Sequence, residues 1–183
     1  MRVTLLACLA LTLAAGCSLG GEEERRDGVP SWLNQTYTDG TIQIRYPDGW
    51  VQNKTNFFGH VLSDTKSTTA AFVGIRYLPE RTWRDRSEFA DVARRTLRPP
   101  DGALTRVLYV QAAKIDGRPG LEVGIVWRLA PDATGGPRMR VFGIELASGR
   151  VAILTFAAED LERHALRFGW IKQHIRWHDQ DGA

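Results

Sequence analysis

The strongest constraint on this chain is a hydrophobic period of two. Leu121, Val123, Ile125, Trp127 and Leu129 occupy alternate positions, and Ile42, Ile44 and Tyr46 alternate with Gln43 and Arg45. Successive side chains of a strand point to opposite faces, so such runs require a sheet that turns one face to a core. Further strands are expected at Trp50–Val51, Phe57–Leu62, Ala70–Tyr77, Arg106–Ile115, Arg138–Leu146 and Arg150–Phe156, with a polar turn over Ser63–Thr69. Asp116-Gly117 and Ser148-Gly149 sit between such runs, where residues that tolerate positive φ close tight hairpins. Pro47-Asp48-Gly49 makes another turn for the same reason. Consecutive hairpins make the sheet antiparallel.

In two places the period lengthens. Phe89, Val92, Ala93 and Leu97 recur at three and four residues, which predicts a helix over Ser87–Leu97. Ser87 can cap its start and Pro99-Pro100-Asp101-Gly102 stops it. A second helix is expected from about Asp160 to Trp177, with Leu161, Ala165, Phe168, Ile171 and Ile175 in one stripe. Its early Glu159, Asp160 and Glu162 and later Arg163, Arg167, Lys172 and Arg176 complement the helix dipole. A chain of 183 residues can bury one core. The expected class is α+β, an antiparallel sheet with helices packed on it.

The N-terminus reads as an address. Arg2 is followed by an uncharged apolar run from Val3 to Gly16, which is too short for a spanning helix of about 20 residues. A charged tip, an apolar middle and small closing residues are the layout of a secretory signal. Leu13-Ala14-Ala15-Gly16-Cys17 resembles the lipobox of bacterial lipoproteins. That resemblance implies cleavage before Cys17, acylation of its sulfur, and a location on the cell membrane or outer membrane, facing away from the cytoplasm. Cys8 then leaves with the signal, and no disulfide can support the folded domain. Residues 17–36 lack apolar periodicity over most of their length and read as a lipidated tether, leaving 37–183 as the domain.

Within that domain, Tyr37-Thr38-Asp39-Gly40 is followed by Ile42-x-Ile44-x-Tyr46-Pro47-Asp48-Gly49-Trp50-Val51-Gln52. This run resembles the start of PsbP-like domains, where a strand enters a Tyr-Pro-x-Gly-Trp turn. Leu62-Ser63-Asp64 at a hairpin end, a helix before the middle strands, Asp116-Gly117-Arg118-Pro119-Gly120 and a final helix follow in the same order. The resemblance implies a PsbP-like α/β/α sandwich. It also implies a non-enzymatic accessory or partner-binding domain, as in the family's photosystem subunits, Ran-binding import factor and envelope lipoproteins.

The chemistry the residues offer is sparse. No H-E-x-x-H, G-x-x-x-x-G-K-[ST], G-x-G-x-x-G or C-x-x-C occurs, and no catalytic residues and no cofactor are expected. His174 and His178 are four apart, half of a metal site, with only Asp179 or Asp181 to extend it; no metal is expected. Lys+Arg 24 against Asp+Glu 21 gives no warrant for a nucleic-acid partner. Arginines concentrate around the first helix, Arg84 and Arg94 among them, either as a surface for an anionic membrane or acidic partner or as a solvated, ion-paired face. Trp32, Trp83 and Trp177 lie in tether, loop and C-terminal contexts, where an exposed aromatic can anchor a protein partner. The leading expectation is a lipid-anchored, partner-binding domain of unknown partner. The alternative is a module for a small apolar or lipid-like ligand, held in a groove between the sheet and the final helix.

Overall fold

The computed structural model describes residues 28–64, 71–97, 103–128 and 136–178. The signal segment 1–16, Cys17, the tether to residue 27, the turn at 65–69, the 99–102 helix stop, Leu129, Asp179 and Asp181 lie outside the described residues. Two compact units divide the chain, residues 1–31 and 32–183. Of the first, residues 28–31 are described; the elements below belong to the second.

Strands β1 (Gln35–Thr38), β2 (Ile42–Tyr46), β3 (Val51–Thr55), β4 (Gly59–Ser63) and β5 (Phe72–Leu78) precede helix α1 (Arg86–Leu97). Then come β6 (Leu104–Ile115), β7 (Arg118–Arg128), β8 (Arg138–Glu145), β9 (Val151–Ala158), helix α2 (Ala165–Gln173) and β10 (Ile175–Trp177). Seven strands form one antiparallel sheet in the order β3-β4-β5-β9-β8-β7-β6, and β1-β2-β10 form a second. The mixed architecture expected from the sequence is therefore present. β1 starts at Gln35, so folded structure reaches into the stretch read as tether.

The middle of the large sheet is buried on both faces. Val123, Ile125, Val141, Ile153 and Ala157 pack with Phe89, Val92, Ala93 and Leu97 of α1, the stripe expected from its spacing. The alternate positions Phe142 and Phe156 meet edge-on at 5.5 Å, and Phe156 meets Phe168 of α2 at 5.4 Å on the opposite face. The central strand β9 is consequently buried at every position. The β6–β7 hairpin closes over two residues, Ile115 pairing Arg118, with Asp116 at φ 49 and Gly117 at φ 78 as such a turn demands.

Three local expectations are corrected. Asp85, not Ser87, caps α1: its Oδ1 accepts the Glu88 amide at 2.9 Å, while the Glu88 carboxylate accepts the Arg84 amide at 2.7 Å. The last helix is shorter than Asp160–Trp177 at both ends. Asp160 accepts the Arg163 amide in a preceding turn, so Glu159, Asp160 and Glu162 lie before the helix and not in its first turn. At the other end, Ile175 pairs with Ile44 and the chain becomes β10. An apolar residue four after Ile171 suits a helix or a strand equally; the unpaired edge of β2 decides.

Candidate functional site

The two ends of the large sheet are β3 and β6, and β6 carries the unusual surface. Its twelve residues hold Leu104, Leu108 and Tyr109, which are 52%, 48% and 39% exposed. The register slips between Val107 and Tyr109, so Leu108 is the extra residue of a bulge. A bulge leaves one residue unpaired and bends the strand, and here it turns an apolar side chain outward.

Behind this edge sits a buried carboxylate. Glu122 of β7 is 2% exposed, in the middle of a strand whose alternate positions pack beneath α1. It accepts hydrogen bonds from Arg140 Nε at 2.6 Å, Tyr109 Oη at 2.8 Å and Gln111 Nε2 at 3.2 Å. Burial pushes its pKa up, but these donors and the Arg140 charge outweigh burial and hold the carboxyl below its usual range. Tyr109 is pushed up to about 12, first by burial and then by its bond to that carboxylate. The group is satisfied and permanently charged near neutrality, which suits a structural tie better than a proton-transfer role.

Gly124 explains how Tyr109 lies down. A Cβ there would come within 2.3 Å of Tyr109 Cε1, so the ring occupies the space that a side chain would fill. Tyr109 and Leu108 form one wall of a groove whose other wall is Leu161 and Ala165, from the turn before α2 and its first residue. The groove holds a cavity of about 200 Å³, with one of about 140 Å³ farther along α2 beside Phe142 and Lys172. Arg138 and Glu162 pair across its rim at 3.3 Å. The sheet–helix groove anticipated for a small ligand therefore exists, but it is shallow.

The residues named from sequence scatter elsewhere. Trp83 is 5% exposed and packs on Phe89 at 4.9 Å; the exposed aromatic expected there is a core side chain. Trp177 is half-buried in β10, with its indole donating to the Ile115 carbonyl at 3.0 Å and its amide to Asp116 at 3.1 Å. Trp32 is half-buried, and its carbonyl accepts the Asp48 amide at 2.9 Å. Arg84 pairs with Glu88 and Arg94 with Asp91, the ion-paired helix face. His174 caps α2 beside the Trp170 carbonyl, whereas His178 meets Gln43, so the helical pairing of the two histidines does not form.

What sequence reading missed is Leu104, Leu108, Tyr109, Glu122 and Arg140. One signal was present: a glutamate between Leu121 and Val123 in a long apolar strand. Its partners are brought together by strand neighbours that no local pattern encodes.

No family model matches the chain, and no curated protein matches it by sequence. Among solved structures, it is similar to the solution structure of cyanobacterial PsbP (CyanoP) from Synechocystis sp. PCC 6803. The TM-score is 0.56 at 10% identity, over 78% of this chain and 91% of that one. The chain has a PsbP-like fold.

Proposed function

We propose that this protein is a lipid-anchored envelope lipoprotein whose domain acts as a non-enzymatic accessory subunit, docking a protein partner along the β6 edge. One observation carries the docking: a long terminal strand of the sheet exposes Leu104, Leu108 and Tyr109 together. A strand edge with no neighbouring strand among the described residues offers main-chain donors and acceptors, and apolar side chains beside it favour an added strand or an apolar partner face. The exposed pair Arg138–Glu162 supplies part of the polar surround typical of such contacts. The anchor rests on Leu13-Ala14-Ala15-Gly16-Cys17. A small-ligand role has less support, because the groove cavities of about 200 and 140 Å³ fall below the roughly 300–1,000 Å³ of most such sites.

Site-specific photocrosslinking in intact cells tests the docking. A photoreactive phenylalanine at Leu108 should yield a discrete adduct, and one at Asn53 on the opposite edge should not. Equal labelling from both positions, or none, sinks the docking reading. Palmitate labelling tests the anchor separately: Cys17→Ser should abolish both label and membrane retention.

A further inference from the structure

A second concavity lies away from the β6 edge strand and the groove beside α2. Its cavity of about 770 Å³ is lined by the approach to α1 and by the ends of the β6–β7 and β8–β9 hairpins. Four arginines face it (Arg81, Arg84, Arg86 and Arg118) against two acids, Asp85 and Glu145. Arg84 is already bound by Glu88, but the lining still carries a positive excess, and every cation is a guanidinium. Such planar forks match phosphoryl oxygens in pairs, which an ammonium cannot do.

Arg81 is already held in place. Its Nε donates to the Trp83 carbonyl at 2.7 Å, its Nη2 to the Arg84 carbonyl at 3.3 Å, and its guanidinium sits 5.8 Å from the Trp83 ring. A cation fixed by its own backbone loses little freedom when a ligand arrives. Its acidic neighbour is weakly engaged: Glu145 stands 3.6 Å from Nη1, and the two side chains are 54% and 43% exposed. An exposed pair of that kind contributes little, so an incoming anion can replace it. Asp85 is turned toward α1, where its Oδ1 accepts the Glu88 amide. Arg118, from the facing hairpin, lies over the Trp177 ring at 5.7 Å. Trp83, Pro119 and Leu121 give the cavity an apolar lining beneath the charges.

The geometry points to a binding site for a phosphoryl group carried on an apolar or planar body, with Arg81 and Arg118 as the principal ligands. A phospholipid headgroup and a free organic phosphate share that chemistry. The site depends neither on the partner docked at β6 nor on the lipid at Cys17.

The test uses the full chain carrying Cys17→Ser, so that acylation cannot supply the affinity. Inorganic phosphate is titrated against chloride at equal ionic strength, followed by amide chemical shifts. Short-chain phosphatidylglycerol and phosphatidylcholine are titrated as monomers in parallel. Phosphate should shift resonances around Arg81 and Gly120, and Arg118→Gln should weaken the effect by about tenfold or more. Arg94→Gln, which removes a cation paired to Asp91 on α1 outside the cavity, should change nothing. Arg86→Gln provides a second lining variant should Arg118→Gln unfold. Tighter binding of phosphatidylglycerol than of phosphate, with the same arginine dependence, assigns a headgroup. Phosphate binding without that gain assigns a soluble ester. No response above chloride overturns the site, as does an Arg94→Gln loss equal to that of the lining variants, which would make it a general charge effect.

Discussion

The two ends of one sheet are built to opposite rules. β3 is five residues long, reads Val-Gln-Asn-Lys-Thr, and exposes its three central polar side chains. β6 is twelve residues long and exposes two leucines and a tyrosine. Short length and a lysine discourage a sheet edge from recruiting other strands. β3 has both protections, although the turn after it exposes Phe57 at 45%. β6 carries exposed Arg106 and Lys114 and a bulge at Leu108, but these are spread over a much longer strand. One edge is short and polar while the other is long and opens two leucines and a tyrosine, so among the described residues β6 is the edge where covering by another molecule gains more apolar area.

The sharpest way to break the comparison is to remove what braces β6 from behind. Glu122→Ala strips Arg140, Tyr109 and Gln111 of their common acceptor and leaves a half-buried guanidinium unpaired. Denaturant unfolding should show a loss of about 3 kcal/mol, the lower end for breaking a buried pair because Arg140 is 34% exposed. A loss below about 1 kcal/mol would mean that β6 stands without this brace.

Gly124→Ala acts on the same edge through space. The new methyl meets the Tyr109 ring, which must swing outward and give up its bond to Glu122. A cost of about 1–2 kcal/mol is expected by the same measurement, together with increased tyrosine exposure in quenching experiments.

Acid should expose the brace without a structural change in the starting state. Glu122 has a folded pKa below its unfolded value of about 4.3. Its stabilisation is therefore present above about pH 4.3 and is lost as pH falls through the folded value. Asp39 works in the same direction: burial raises its pKa, but the Thr41 and Ile42 amides and the Tyr77 and Tyr37 hydroxyls outweigh burial. Below about pH 4.3 the stability of Glu122→Gln should fall less steeply than that of the parent. Parallel profiles would remove Glu122 from the account.

The smallest effect on stability should carry the largest effect on association. Leu104→Lys with Leu108→Lys replaces exposed side chains, so unfolding should move by no more than about 0.5 kcal/mol. Partner crosslinking through β6 should disappear nonetheless. The converse pair on β3, Asn53→Val with Lys54→Val, should leave crosslinking unchanged and raise light scattering on concentration, as the protected edge loses its protection.

Much of the scaffold was legible because its signals are local. Asp116-Gly117 closed its hairpin where a tight turn was expected, and Phe89, Val92, Ala93 and Leu97 formed the buried stripe of α1. The candidate site was hardly legible. Trp83 looked like a loop aromatic and is core, because the loop folds back under α1. Tyr109 and Glu122 are thirteen residues apart, and Arg140 is eighteen beyond Glu122. Their meeting depends on β6, β7 and β8 lying side by side.

By itself the sequence determined the repeating units: period-two strands, tight hairpins and one amphipathic helix. Each follows from chemistry within a few residues, where backbone sterics and side-chain spacing suffice. Only the tertiary structure decided which strands became edges, that both faces of the middle strands are covered, and that Ile175–Trp177 leaves the last helix to pair with β2. Those outcomes turn on which surfaces remain open once the core has closed. That is a competition between distant segments for burial and for unpaired backbone groups, and no local pattern records its result.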